Sequence, residues 1–283
     1  MAILSIQSAV AYGRVGNAAA VFPLERLGFE VWRVDTVLFS NHTGYGHWRG
    51  KVLEPELVAE ILTGIEERGV FGDCEAVLSG YLGTPALGEA VLDAVVRVKR
   101  ANPQALYCCD PVMGDAGRGL FVKPELPNFF RRRALPAADM LTPNRFELET
   151  LAETRVTTLA EARSAVEALL ARGPRAVLVT SLDVGEIPPA ETGMLLATEA
   201  GGWLVRTPRL PMVANGAGDL TAALFLAHYL RLRDALEVLG ATVSGVHAVL
   251  EETLRRNAPE LAIVAAQDAL AAAEPRFAVE RVF

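Results

Sequence analysis

Asn215-Gly216-Ala217-Gly218-Asp219 runs directly into Leu220-Thr-Ala-Ala-Leu-Phe-Leu-Ala-His-Tyr-Leu230. A loop with two glycines therefore feeds an apolar helix. Glycines let the backbone turn so that several amides face one point. The positive end of the helix dipole favours an anion at that point. Asp219 stands at its edge. A carboxylate there repels a phosphate unless its task is to accept a proton from a hydroxyl attacking that phosphate. The same residues also suit a plain helix cap, because Asp and Gly are common before helices. The rest of the chain has to decide between these.

Working back toward the N-terminus, short apolar runs alternate with amphipathic stretches: strands over 2–6, 30–37, 76–78, 105–109, 139–141 and 175–179, helices over 18–27, 54–68, 85–100 and 159–171. Alternation of this kind implies a parallel sheet, and ligands of such sheets sit beyond the carboxyl ends of the strands. Those ends carry Ser8, Ser79-Gly80-Tyr81, Asp110, Thr142-Pro143-Asn144 and Thr180-Ser181. Asn17 is placed to cap the first helix. Asn144 and Glu147 are three apart at a helix start, which suits either a capping box or a pair organising metal and phosphate. Asp110 before Pro111 suits either a turn or a magnesium site.

Two stretches fit neither periodic pattern. Phe39-Ser-Asn-His-Thr-Gly-Tyr-Gly-His-Trp48 is polar and aromatic, and reads as a surface turn or a loop closing over a flat polar ligand. The segment 115–123 is rich in glycine. Runs over 194–198 and 203–206 predict an antiparallel hairpin, and helices are expected over 217–232, 234–254 and 264–273. The tail 277–283 is ambiguous. No repeat or linker interrupts residues 1–283, so a single domain is expected.

A formal charge of −7 and a pI near 5.3 argue against a nucleic-acid surface. Phosphate must then be held locally. The chain enters a strand directly, with no leader-like segment and no stretch apolar enough for a membrane span, so a cytoplasmic location is expected. The three cysteines are Cys74 and the adjacent Cys108 and Cys109. Neighbours in a strand point to opposite faces, which suits core packing better than a disulfide or metal.

Six ordered motifs resemble the pyridoxal kinases of the ribokinase-like superfamily: Ser5-Ile-Gln-Ser8 with Tyr12-Gly13 and Gly16-Asn17; Phe39-Ser-Asn-His-Thr43 with Tyr45-Gly46; Leu78-Ser-Gly-Tyr-Leu-Gly83; Cys109-Asp-Pro-Val-Met-Gly114; Thr142-Pro-Asn with Glu147-Leu-Glu149; and Gly216-Ala-Gly-Asp219. The last is shared across the superfamily, whereas the Ser-Asn-His-Thr and Ser-Gly-Tyr-Leu-Gly runs are narrower. The resemblance implies a three-layer αβα fold with a mostly parallel, doubly wound sheet and antiparallel edge strands. It implies ATP-dependent phosphorylation of pyridoxal at its 5′-hydroxyl, with hydroxymethylpyrimidine kinase or a non-catalytic vitamin B6 carrier as alternatives. Asp219 would be the base and the amides of Gly216, Ala217 and Gly218 the phosphate holders. Ser8, Thr43, Gly44 and Tyr81 would contact the ring. Asp110 and Glu147 would position Mg²⁺ with Asn144 beside them, and Thr142, Thr180, Thr207, Pro208, Arg209 and Leu210 would lie along ATP. A homodimer, and activation by K⁺, belong to the same resemblance.

The chain also departs from its look-alikes. Ala217 stands where they often carry Thr or Val, Thr180 where some carry Lys, and Gly44 where some carry a polar side chain. Leu120 stands where one bacterial branch has a cysteine able to capture the pyridoxal aldehyde, so covalent capture there is not expected.

Overall fold

The computed structural model describes residues 1–232, 234–272 and 274–283. Its first unit is β1 (Ala2–Tyr12), α1 (Asn17–Arg26) and β2 (Glu30–Asn41), followed by β3 (Gly50–Val52) and α2 (Pro55–Glu67). Next come β4 (Cys74–Ser79), α3 (Pro85–Ala101), β5 (Leu106–Cys109) and a small hairpin of β6 (Gly114–Asp115) and β7 (Gly119–Leu120). Then follow α4 (Leu126–Phe129), α5 (Leu135–Ala137), β8 (Met140–Leu141), α6 (Arg145–Ala152), α7 (Leu159–Leu170) and β9 (Ala176–Leu182). The chain ends with β10 (Glu191–Thr198), β11 (Gly201–Pro208), α8 (Ala217–Leu232), α9 (Ala235–Arg255), α10 (Gln267–Ala272) and β12 (Val279–Arg281).

Ten of these strands form one sheet in the order β12-β11-β10-β9-β8-β5-β4-β1-β2-β3. The six from β9 to β2 are parallel, and the edges are antiparallel. From β1 the chain goes to β2 on one side and then to β4 on the other. The loops after β1 and β4 therefore diverge and leave a crevice.

Strand residues alternate between two cores. Ile3, Ala76, Leu78 and Cys108 pack with α1, α8 and α9, whereas Leu4, Val77 and Cys109 pack with α2, α3 and α7. This is the expected three-layer architecture. Cys108 and Cys109 lie on opposite faces, buried and unbonded like Cys74. Helix α8 is buried from Leu220 to His228. Each fully buried large apolar side chain contributes about 1.5–3 kcal/mol, so packing rather than surface pairing holds α8 beneath the sheet.

Several expectations change. Ser8 does not end its strand: β1 continues to Tyr12, with a register shift between Gln7 and Ser8 against β2. Strand β2 runs on to Asn41, and β9 passes through Thr180 and Ser181 to Leu182. Asn17 is not a cap but a buried tie inside α1. It accepts from the Ser5 hydroxyl and donates to the Val34 carbonyl and Asp35. Residues 126–137 are helical, with a π-helical turn over Phe130–Ala134, although no helix was expected there. The ambiguous tail supplies an edge strand. The last helix covers only part of 264–273, and Ala273 itself lies outside the described residues.

Candidate functional site

The Gly216 carbonyl accepts the Leu220 amide at 2.9 Å, so Gly216 occupies the cap position of α8 and Asp219 lies within its first turn. The reading of Asp219 as a cap is thereby corrected. First-turn amides have no carbonyl one turn back. Ala217 reaches the Ala214 carbonyl only at 3.4 Å. Gly216 has φ 86°, and a Cβ there would lie 1.7 Å from the Arg14 carbonyl oxygen. A Cβ on Gly218 would meet nothing within 4 Å, so the space on that side of the loop is open. Burial pushes the Asp219 carboxyl up to about 6, against hydrogen bonds from its own amide and that of Gly16.

Gly16 reaches Asp219 because the loop after β1 folds back tightly. A Cβ on Gly16 would sit 2.1 Å from the Ser8 carbonyl oxygen, so only glycine, here at φ 54°, fits.

Two more carboxylates stand nearby. Asp110, just past β5, is buried and accepts the Thr142 hydroxyl at 2.9 Å. Burial raises its pKa, and the charges of Glu147 and Asp219 raise it further. Glu147 is buried and forms the capping box of α6 with Asn144. Its Oε1 accepts the Met113 amide at 2.8 Å, its Oε2 accepts the Asn144 amide at 2.9 Å, and burial still pushes it up to about 7. The Asn144 side chain also donates to the Gly114 carbonyl at 2.7 Å. The cap is therefore real, and it anchors the 113–114 backbone as well.

Among the described residues no group of three or more His, Cys, Asp or Glu closes into a full ligand set. What exists is a pair of buried, mutually repelling carboxylates, whose hard oxygens suit Mg²⁺ completed by water and phosphate oxygens.

On the β2 side of the sheet, Thr43 and Gly44 lie exposed in the turn Thr43–Tyr45. Gly44 lies beside the phosphate loop, with its Cβ position 3.6 Å from the side-chain nitrogen Nδ2 of Asn215. Tyr81 follows β4 and is half-buried, and burial raises its phenol pKa. Its carbonyl accepts the Thr36 hydroxyl of β2 at 3.0 Å. Ser8, Thr43 and Tyr81 thus come from three adjacent strands or the loops following them.

Toward β9, Thr180 bridges to Asn144, and its amide donates to the Pro143 carbonyl at 2.9 Å. Ser181 beside it has φ 49°, an uncommon conformation for a residue other than glycine. Thr207 and Pro208 end β11, and Leu210 is half-buried. The Arg209 guanidinium pairs with Asp183 at 2.6 Å and donates to the Pro189 and Glu191 carbonyls. Its charge is already committed to the 183–191 loop.

Sequence reasoning gave Gln7 a place in a motif but no role, and it missed Glu260. Gln7 is buried, and a Cβ on Gly80 would lie 2.5 Å from its Oε1. Glu260 joins the loops of residues 12–16 and 42–45 from 218 residues beyond His42. No local pattern marks it.

Residues 37–261 match the family described as phosphomethylpyrimidine kinase. The pyridoxal kinase PdxY of Rubrobacter xylanophilus is 62% identical over 99% of this chain and 97% of its own length. That of Deinococcus radiodurans is 54% identical, covering 99% of this chain and 96% of its own. Among solved structures, pyridoxal kinase from Leishmania donovani in complex with ADP and ginkgotoxin aligns with a TM-score of 0.92 at 30% identity, covering 100% of this chain and 99% of that one. The chain therefore belongs to the phosphomethylpyrimidine kinase family and, within it, to the pyridoxal kinases.

Proposed function

We propose that this chain carries out its family's reaction, ATP-dependent phosphorylation of pyridoxal at the 5′-hydroxyl, with Asp219 as the base. The observation that carries this assignment is the placement of Asp219 in the first turn of α8, beside the leading amides that have no carbonyl one turn back. A proton acceptor and an anion holder thus share one helix start. Asp219 takes the hydroxyl proton as the oxygen attacks. The amides of Gly216, Ala217 and Gly218 hold the charge that builds on the transferred phosphoryl group.

Ser8, Thr43, Gly44 and Tyr81 hold the ring, and Thr142, Asn144, Thr180 and the segment 207–210 lie along the nucleotide. Asp110 and Glu147 hold Mg²⁺, which neutralises phosphate charge when bound. We assign residues 1–283 to one kinase domain, acting as a homodimer in the cytoplasm and activated by K⁺. The single ten-stranded sheet supports the first of these, and no described helix is long and apolar enough to cross a membrane.

The family description favours one competing reading, a hydroxymethylpyrimidine acceptor. Steady-state phosphorylation of pyridoxal, pyridoxine, pyridoxamine and hydroxymethylpyrimidine, with ATP and Mg²⁺ and with or without K⁺, separates them. Pyridoxal preference is expected. Preference for the pyrimidine overturns the acceptor assignment, and binding without turnover makes the chain a carrier. Sedimentation and cell fractionation test the dimer and the location.

A further inference from the structure

Glu260 follows α9 and belongs to none of the motifs above. Its carboxylate nevertheless accepts from two separate loops. Oε2 takes the Arg14 amide at 2.8 Å. Oε1 takes the Tyr45 hydroxyl at 2.7 Å and lies 3.1 Å from His42 Nε2. The His42 and Tyr45 rings stack with centroids 4.5 Å apart. The side chains of His42 and Glu260 are only 11% and 13% exposed, so the contact between them is largely shielded from water.

A Cβ on Gly13 would lie 3.0 Å from Glu260 Oε2, so that glycine makes room for the carboxylate. Arg14, whose amide Glu260 holds, is the residue whose carbonyl packs on Gly216. The 42–46 turn has only two backbone bonds of its own outside strands, Tyr45 to His42 and Gly46 to Thr43. Glu260 thus fastens the turn carrying Thr43 to the loop that backs the phosphate site.

We propose that Glu260 is a positioning residue for the acceptor substrate. It latches the 42–45 turn against the 12–16 loop and so sets affinity for the pyridoxal ring. It does so without touching the transferred phosphate. This rests on the proposed ring contact of Thr43.

The test is steady-state kinetics of Tyr45→Phe, Glu260→Gln and the double variant. The Tyr45 side chain is exposed, so its loss of one hydroxyl leaves folding intact. Losing one charge-assisted bond should raise the KM for pyridoxal about tenfold. The KM for ATP should stay within about twofold, because the hydrogen bonds of Glu260 go to Arg14, His42 and Tyr45 and not to the segments placed along the nucleotide. The double variant should be no worse than Glu260→Gln alone, since both remove one connection. Equal shifts in both KM values, no shift in either, or fully additive effects in the double variant would overturn the latch. Absence of pyridoxal turnover in the unaltered protein would instead count against the acceptor assignment, so the two failures are distinct.

Discussion

The Arg14 carbonyl oxygen occupies the place that a side chain on Gly216 would need, 1.7 Å from its Cβ position. The loop after β1 and the loop before α8 are therefore packed backbone to backbone. Asp219 is held in the same joint through the Gly16 amide.

Gly216→Ala should break that joint. The φ of 86° alone costs about 1–2 kcal/mol for an L-residue, and the clash is with backbone that cannot swing aside. We expect a lower melting temperature and a fall in kcat of about tenfold or more, since preorganised amides are lost. Gly218→Ala, which meets open space, should leave the melting temperature unchanged. Equal stability of the two variants by thermal denaturation would refute this account.

Asp219→Asn keeps the shape of the side chain and removes its basicity. A positioned general base contributes about 10²- to 10⁴-fold, so kcat should fall by that order while pyridoxal binding, measured by titration calorimetry, persists. Turnover near that of the unaltered protein would exclude Asp219 as the base.

The raised carboxyl values make two pH predictions of opposite sign. Catalysis needs ionised Asp219, so kcat should rise with pH through about 6. Stability behaves the other way. Glu147 moves from an ordinary 4.5 to about 7 on folding, and Asp219 from 3.8 to about 6. Between those values the folded protein binds more protons than the unfolded chain. The stability these groups contribute is present at low pH and lost as pH rises through the folded values. Metal-free protein should therefore lose melting temperature from about pH 5 to about pH 7.5, less steeply in Glu147→Gln. Added Mg²⁺ should restore it near neutrality, more in the unaltered protein than in Asp110→Asn. A melting temperature flat or rising across that range in metal-free protein would show that these carboxyls ionise freely.

The cysteines should be silent. All three are fully buried, and burial pushes Cys74 up to about 11 and Cys109 up to about 12. At the end of β7, Leu120 offers no nucleophile. Thiol reagents should label nothing in the native protein and all three cysteines after unfolding. Pyridoxal should give no thiohemiacetal absorbance. Native labelling at any position would contradict the burial.

Much of the architecture could be read from the chain because its cause is local. A fully buried parallel strand must be an apolar run, and Ala2–Ile6 or Leu106–Cys109 can hardly be anything else. Strand ends were harder. β1, β2 and β9 continue past Ser8, Val37 and Val179 because neighbouring strands go on supplying backbone partners whatever the side chains are. The helical stretch 126–137 hides behind Pro127, Pro136 and three arginines, and only burial of Phe129, Phe130 and Leu135 makes it worthwhile.

By itself the sequence determined the alternating α/β order, the glycine loop with its following aspartate, and the residues of the capping box at Asn144 and Glu147, all short-range consequences of spacing and backbone freedom. Tertiary structure alone decided that Asp110 feels the charges of Glu147 and Asp219, that Arg209 is committed to Asp183, and that Glu260 reaches Arg14 and Tyr45. Those relationships join segments far apart in the chain. No local propensity encodes them, and they exist only once the sheet has brought its strand ends to one edge.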